Sequence, residues 1–532
     1  MADEAHSAVS GTRGELPFEP PVQRAAAIHK VVSLDQLARI AQEARREGLR
    51  VVLCHGVFDL LHMGHLRHFE EARRQGDILC VTITADKFVN KGPGRPAFPD
   101  TIRAEMCAGI GCVHWVAVNH APHAVSVLEC VKPDIYVKGD DYSQDDDITG
   151  NIQLERETVE AHGGRIHFTN DVVFSSSELI NRHLNIHDPD LRNFLATMRD
   201  DGAAERILAL LEETKNFRVL VIGDAIIDDY HYVSALGKSP KENLIATQFQ
   251  SSEMFAGGIF ALANHVAGIC RQVDIVTCIG TNPDRSEFIK SHLKPNVNLW
   301  YIGREGFPTT TKQRFIASGY YQKMFEVYYY DDQPLQGVIR QQIDTRIMEC
   351  AADYDLVIVN DFGHGLISRS TIEALTGSAR FLAVNAQSNS GNMGFNLITR
   401  YPSADYVCID APEARLAIGD KHLDISTIVA KELPARIQCK KFIITQGKLG
   451  CLSCDGENTV QIIPALTQTV VDTVGAGDAF LGITAPLVFA GGRLRDVGFV
   501  GNIAGALKVQ VLGHRSSIDK PTLIKAVVSL LK

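Results

Sequence analysis

From residue 33 onward, short apolar runs alternate along the chain with stretches in which apolar residues recur every three or four positions. The runs predict strands and the periodic stretches predict helices. Ser33-Leu34-Asp35-Gln36 reads as an N-cap with a capping-box glutamine, opening an amphipathic helix through Arg46. Val51-Val52-Leu53 is the first strand, and further strands are expected at 78–84, 115–118, 135–138 and 165–168. Strand alternating with helix implies a parallel sheet with crossover helices, ending near residue 185.

A second alternating series starts at Val219-Leu220-Val221-Ile222-Gly223-Asp224, with strands expected at 273–277, 356–359, 381–384, 406–409 and 442–445. Residues 309–315 and 323–330 are rich in β-formers and predict a small additional sheet, a lid. The expected organisation is a flexible, Pro/Gly-bearing tail (1–28), a first α/β domain (29–186), a charged helical linker (187–216) and a larger α/β domain (217–532). No internal repeat connects the halves.

Composition narrows the function classes. The chain has 532 residues, 45% hydrophobic and 22% charged, which suits soluble globular domains. A net charge of −10 without a long Lys/Arg run argues against a nucleic-acid or anionic-membrane binder. The twelve cysteines are scattered along the chain, and no apolar run is long enough to span a bilayer. Reduced thiols and a cytoplasmic location follow as the expectation.

Two segments carry the chemistry. In Asp472-Thr473-Val474-Gly475-Ala476-Gly477-Asp478-Ala479-Phe480, small residues at a predicted helix start leave N–H groups bare for an anion. Asp478 follows to take a proton from an attacking hydroxyl. In Gly56-Val57-Phe58-Asp59-Leu60-Leu61-His62-Met63-Gly64-His65, a strand breaks at glycine, and His62 and His65 stand at the mouth of the next helix, where both rings can reach one triphosphate. The first suits phosphoryl transfer and the second nucleotidyl transfer. His55, His68, His114 and His120 have no motif around them and are expected to be structural.

The second segment belongs to a series. With Lys91-Gly92-Pro93-Gly94-Arg95-Pro96, Arg103, Val137-Lys138-Gly139-Asp140-Asp141-Tyr142 and Ser175-Ser176-Ser177-Glu178, the first domain resembles the cytidylyltransferase-like nucleotidyltransferases. The resemblance implies that His62 and His65 hold the α and β phosphates of the nucleotide, with Lys91 and Arg103 placing charge over the leaving pyrophosphate and the incoming phosphate. Ser175, Ser176 and Ser177 would offer hydroxyls and amides, Asp59 would orient the loop or the nucleotide, and Gly56, Phe58, Lys138, Gly139 and Asp140 would line the nucleotide site.

The second domain resembles the ribokinase-like (PfkB) carbohydrate kinases. The matches are Gly223-Asp224 with Asp228, Gly257-Gly258, Thr445-Gln446-Gly447-Lys448-Leu449-Gly450, the 472–480 segment and Asn502. The resemblance implies Asp478 as base and Gly475, Ala476 and Gly477 as anion hole. Asp224, Asp228, Gly257 and Gly258 would face the sugar, and Thr445, Gly447, Gly450 and Asn502 the nucleotide. Asp410 and Glu413 stand where the family has Asn-x-x-Glu, implying Mg²⁺ held through water with aspartate replacing asparagine.

Pro308-Thr309-Thr310-Thr311-Lys312-Gln313-Arg314 and Asp361-Phe362-Gly363-His364-Gly365 are most similar to the heptose-phosphate kinases. Lys312 and Arg314 would face one way along a lid strand, suiting a substrate that already carries a phosphate. The whole chain resembles the bifunctional heptose kinase/adenylyltransferases of ADP-heptose synthesis, with the domain order reversed. The implied enzyme uses ATP and Mg²⁺ to phosphorylate a sugar phosphate, and ATP or CTP to nucleotidylate a sugar 1-phosphate. Its partners are small molecules, neither nucleic acid nor membrane, and a homo-oligomer through the kinase domain is compatible with this reading. Ile259-Phe260-Ala261 and Val384-Asn385-Ala386-Gln387 depart from the heptose pattern, so a remodelled sugar pocket is expected. Three alternatives remain: a cytidylyltransferase fused to a kinase for another sugar or polyol phosphate; a nucleoside kinase with a mononucleotide adenylyltransferase; and a sugar-nucleotide sensor with dead sites.

Overall fold

The computed structural model describes residues 25–89, 91–92, 95–139, 151–169, 188–319, 322–331, 333–456, 459–467 and 470–532. They divide into two compact α/β units. The first holds 25–89 and 96–169, and the second holds 188–532 together with the described residues between 90 and 95.

In the first unit, β1 (Val51–Gly56), β2 (Ile78–Thr84), β3 (Trp115–Asn119), β4 (Ile135–Gly139) and β5 (Arg165–Thr169) form a parallel sheet in the order β3-β2-β1-β4-β5. Residues 51–54 are buried on both faces, as a parallel sheet covered by helices requires. Alternate side chains feed two separate cores, Val52 and Cys54 into one, Val51 and Leu53 into the other. The helix Leu34–Arg46 carries the Ser33/Gln36 capping box and buries Leu37, Ala41 and Ala44. Chain order reverses between β1 and β4, so the crevice for a ligand opens at their carboxyl ends.

The second unit is built on nine strands. They are β6 (Arg218–Gly223), β9 (Gln272–Gly280), β10 (Val297–Arg304), β13 (Leu356–Asp361), β14 (Leu382–Ala386), β15 (Tyr406–Asp410), β16 (Lys441–Thr445), β17 (Cys451–Cys454) and β18 (Val460–Ile463). Their order is β10-β9-β6-β13-β14-β15-β16-β17-β18, parallel through β16 and antiparallel at the last two joins. A four-stranded sheet, β12-β11-β7-β8, makes the lid from β7 (Ala225–Lys238), β8 (Ile245–Gly258), β11 (Thr310–Ala317) and β12 (Gln322–Tyr329). The lid is larger than the two strands expected from composition. The sequence reading missed β7 and β8, and β7 starts one residue after β6 ends, with Asp224 as the joint.

Residues 187–216 were expected to form a linker, and this is corrected. Helices Pro189–Asp200 and Ala203–Thr214 bury Leu191, Leu195, Met198, Ala203, Ile207 and Leu211 in the main core of the second unit. Their charges form the solvated face of helices whose apolar stripe is core. None of the twelve cysteines is disulfide-bonded, and no helix among the described residues is long and apolar enough to cross a membrane.

Candidate active sites

In the first unit β1 ends at Gly56, above a tight loop that turns into the helix Met63–Arg74. Phe58 takes the left-handed conformation (φ 48°), a costly choice for a bulky residue. Its buried ring lies under Gly56, where any Cβ would come within 2.9 Å of it, and packs edge-on against His65 with centroids 5.4 Å apart. Asp59, fully buried, accepts the backbone N–H groups of Ala97 (2.7 Å) and Phe98 (3.2 Å). The loop is therefore shaped from beneath.

His62 is the N-cap of the helix, its Nδ1 accepting the Gly64 N–H (3.1 Å), while His65 Nδ1 accepts the His62 N–H (3.4 Å). The rings lie 3.9 Å apart, centroid to centroid. An Nδ1 that accepts a backbone N–H leaves the ring proton on Nε2, so both rings are Nε2–H donors, the form suited to phosphate oxygens. The positive end of the helix adds to this.

Other expected ligands are placed differently. The Arg103 guanidinium is fully buried. Its Nε donates to Phe98 O (2.9 Å), its Nη1 to Val57 O, and its Nη2 to Thr84 O (2.8 Å) and Asp86 Oδ1 (2.6 Å). Arg103 is thus corrected from a phosphate ligand to a brace joining three segments. Removing it strands three carbonyls, so Arg103→Met should destabilise the protein by about 3 kcal/mol or more, measured by chemical denaturation. A ligand role would instead raise KM and leave stability unchanged.

Lys138, near the end of β4, is also corrected. Its Nζ pairs with Glu155 at 2.8 Å in a largely buried bridge to which Tyr136 also donates, at 3.1 Å. Gly139 at the strand end is open, with nothing within 4 Å of a notional Cβ. Lys91 belongs to a short segment that groups with the second unit. Asp140, Ser175, Ser176 and Ser177 lie outside the described residues. His55 exchanges hydrogen bonds with the Thr82 and Thr84 hydroxyls, and burial, reinforced by Lys138, lowers its pKa to about 3.

In the second unit a cavity of about 410 Å³ lies between the lid and the carboxyl ends of the central strands. Asp478 lines it from the first turn of the helix Ala476–Phe489, accepting a hydrogen bond from Asn360 Nδ2 (2.8 Å). Burial raises its pKa, toward the range in which a carboxylate can take a proton. Gly475, at φ 77°, caps the helix, and the first intrahelical bond is Ala479 N–H to Gly475 O (2.9 Å). The Gly477 and Asp478 N–H groups therefore project from the helix end beside Gly475 and Gly477, which line the cavity.

Asp228, Lys312 and Arg314 enter from the lid, where Lys312 pairs in register with Asp228 across β11 and β7. Burial favours protonation of Asp228, yet the His514 ring (Nε2 at 3.1 Å) and the Arg314 guanidinium outweigh it, and its carboxyl is held well below the usual carboxylate range. Gly257 makes room for this carboxylate, since a Cβ there would fall 1.9 Å from Asp228 Oδ2. Gly258, at φ 53°, turns the chain into the next helix. Gly257 shapes Asp228's niche, and neither glycine lines the cavity. Arg314 is corrected from a free phosphate grip, because it is ion-paired with Asp228 and with Glu326 (3.2 Å). Lys312 differs: it is buried, its Nζ rests over the Tyr328 and Phe362 rings (5.3 and 5.6 Å), and it forms no ion pair among the described residues. Burial lowers its pKa.

Asp224 is corrected as well. It does not line the cavity; its carboxylate accepts the N–H groups of Phe362 (3.0 Å), His364 (3.3 Å) and Leu366 (3.2 Å) and fixes that loop. Burial raises the pKa of Asp224, and burial plus Asp224 pushes Asp361 up to about 6. Asn502 spends its amide on Ile463 O and Pro464 O (3.1 and 2.9 Å), and Gly450 is a turn glycine whose Cβ would meet Ile463 O at 2.1 Å. Neither lines the cavity, whereas Thr445 and Gly447 do. Ile259 and Phe260 are core residues, so the departure there leaves the pocket wall untouched, while Asn385 and Gln387 do line it.

Asp410 and Glu413 share a capping box on the cavity wall, each accepting the other's backbone N–H (2.8 and 2.9 Å). Burial raises both pKa values, and for Glu413 the neighbouring carboxylate adds to it. Two crowded, desolvated carboxylates on the cavity wall fit a hard divalent cation. Sequence reasoning missed Asn360 and His514. Asn360 adjoins a quoted motif, but nothing in the sequence marks His514.

The model of the cytidylyltransferase-like family matches residues 53–182, and that of the pfkB family carbohydrate kinases matches residues 216–521. Bifunctional protein HldE of Ectopseudomonas mendocina (strain ymp) is 36% identical over 188 residues, 34% of this chain and 38% of that protein. That of Citrifermentans bemidjiense is 40% identical over 139 residues, 26% of this chain and 27% of that protein. The chain thus spans well under two thirds of the length of these relatives. A putative ribokinase from Agrobacterium tumefaciens is similar over 59% of this chain and 99% of its own, at 17% identity and a TM-score of 0.48. The match over 216–521 takes in more than half of the 532 residues, and this chain belongs to the pfkB family of carbohydrate kinases.

Proposed function

We propose that the protein is a bifunctional, cytoplasmic enzyme of nucleotide-sugar synthesis. Its second unit phosphorylates a sugar that already carries a phosphate, of heptose 7-phosphate type. Its first unit joins a nucleotide to a sugar 1-phosphate, giving an ADP-heptose-type product for surface polysaccharide. The observation that carries the sugar-phosphate reading is Lys312, a buried ammonium in the cavity of Asp478 that has no ion-pair partner among the described residues, where a resident phosphate would supply the missing charge. The likeness to proteins named bifunctional HldE supports the pairing of activities.

In the kinase, Asp478 takes the proton of the attacking hydroxyl, the γ-phosphoryl passes to that oxygen, and ADP leaves. The Gly477 and Asp478 amides meet the charge on the transferred group, Asp228 accepts a sugar hydroxyl, and Arg314 and His514 keep Asp228 ionised and oriented. Asp410 and Glu413 would hold Mg²⁺ through water, and the ion would neutralise the nucleotide phosphates. In the transferase, an oxygen of the sugar phosphate attacks the α-phosphorus of the nucleotide and pyrophosphate leaves. His62 and His65 donate through Nε2 to the phosphates. Lys91, Asp140, Ser175, Ser176 and Ser177 belong to this reading by resemblance. Leu236, Ile245 and Phe249, exposed on β7 and β8, are where copies of the kinase unit would meet.

The test is to incubate the protein and Mg²⁺ with ATP or CTP and a panel of heptose, hexose and polyol phosphates, and to identify products by mass. A sugar bisphosphate from heptose 7-phosphate and an ADP-sugar from the 1-phosphate are expected. CDP-linked products would select the cytidylyltransferase alternative, and no product with any pair would leave a sensor.

A further inference from the structure

Lys508 ends the helix Leu494–Lys508, only 1% exposed, and has no role in the steps above. Its Nζ donates to Val474 O (2.8 Å) and Gly513 O (2.7 Å), and it forms no ion pair among the described residues. Val474 O belongs to the peptide that leads into Gly475, and Gly513 precedes His514, the residue bonded to Asp228. The same two segments are joined a second time by Asp472. It accepts the Val474 N–H (3.1 Å) and Lys323 Nζ (2.6 Å) on one oxygen, and the Gly513 N–H (2.9 Å) and Tyr230 hydroxyl (2.7 Å) on the other. Gly475 is glycine for a matching reason: a Cβ would come within 2.4 Å of the His514 ring and 3.2 Å of Lys508 Cε.

A desolvated ammonium is costly unless its charge is used. Here it aligns two peptide dipoles at the point where the chain enters its left-handed turn, which sets the direction of the Gly477 and Asp478 N–H groups. We propose that Lys508 is a positioning residue for phosphoryl transfer, a cation built into the chain that clamps the Val474 and Gly513 carbonyls and holds the 475–477 turn in its anion-binding shape. The proposal rests on the reading of the Asp478 cavity as the kinase site. It has a chemical corollary. Without the side chain, the same carbonyls and Asp472 present a niche for a free monovalent cation of similar size, such as potassium or ammonium.

The full chain is assayed with ATP, Mg²⁺ and heptose 7-phosphate in sodium, potassium and ammonium buffers of equal ionic strength. The natural protein should turn over at the same rate in all three. Lys508→Met in sodium should lose about 10²-fold in kcat, the scale of a lost oxyanion-stabilising group, with both KM values moving far less. Potassium or ammonium should restore most of that loss. The Tm of Lys508→Met should likewise rise with potassium or ammonium, whereas that of the natural protein should not, because a cation that binds only the folded state stabilises it. A folded Lys508→Met with natural kcat would overturn the proposal, as would a loss that no cation repairs in rate or Tm, or a natural protein that requires potassium. If Lys508→Met folds in no buffer, the natural protein's indifference to the cation and retained turnover by Lys508→Arg decide. If the natural protein phosphorylates no sugar, the substrate reading fails and the Tm comparison alone decides the role of Lys508.

Discussion

Asp478→Asn is expected to lower the kinase kcat by about 10²-fold or more, close to 3 kcal/mol of transition-state stabilisation, while KM for ATP and for the sugar phosphate changes little. The substitution keeps the shape and the Asn360 contact at 2.8 Å, and leaves the Gly477 N–H in place. What it removes is the carboxylate whose proton affinity burial has raised. Steady-state kinetics with both substrates varied separates the effects. A loss confined to KM would make Asp478 a binding residue, and natural turnover would remove it from the chemistry.

The second large effect is expected at His65. His65→Ala should silence nucleotidyl transfer by about 10³-fold and leave phosphorylation untouched, since the kinase cavity is complete within its own unit. His65 has two jobs that alanine deletes together, accepting the His62 N–H through Nδ1 and presenting Nε2–H. His65→Asn separates them, because its side-chain oxygen can keep the cap while no donor reaches the Nε2 position. Equal loss in both variants, with unchanged Tm for His65→Asn, assigns the effect to the donor. Pyrophosphate release reports the transferase and ADP formation the kinase, in one preparation. A folded His65→Ala that also lost kinase activity would mean the sites are coupled.

How much of this was legible in the sequence depended on whether a residue's role is local. The 56–65 and 472–480 segments were readable because glycines, helix starts and the side chains they orient lie within ten residues of one another. The parallel strands were readable because both of their faces are buried. The 14-residue β7 and β8 were not, since their alternation fades into exposed polar positions such as Lys238 and Gln248 at the far end. Roles set by distant partners were misread. Arg103 and Lys138 look like phosphate ligands in any motif list, yet carbonyls of three separate segments claim the first and Glu155 the second. Arg314 could not be told from Lys312 by spacing. The register of β11 sets Glu326 opposite Arg314 but Asp228 opposite Lys312, and only the side-chain geometry shows that both carboxylates turn to Arg314.

The single-residue joint at Asp224 separates two kinds of change open to this protein over evolutionary time. Asp228, Lys312 and Arg314 hang from the four-stranded lid, whereas Asp410 ends β15 of the nine-stranded sheet and Glu413 and Asp478 stand in the first turns of helices outside the lid. Under the proposed function, substitutions in the lid would retune which sugar is accepted and leave in place the groups that move the phosphoryl. Descendants of such a kinase can acquire new substrates while inheriting the old chemistry intact.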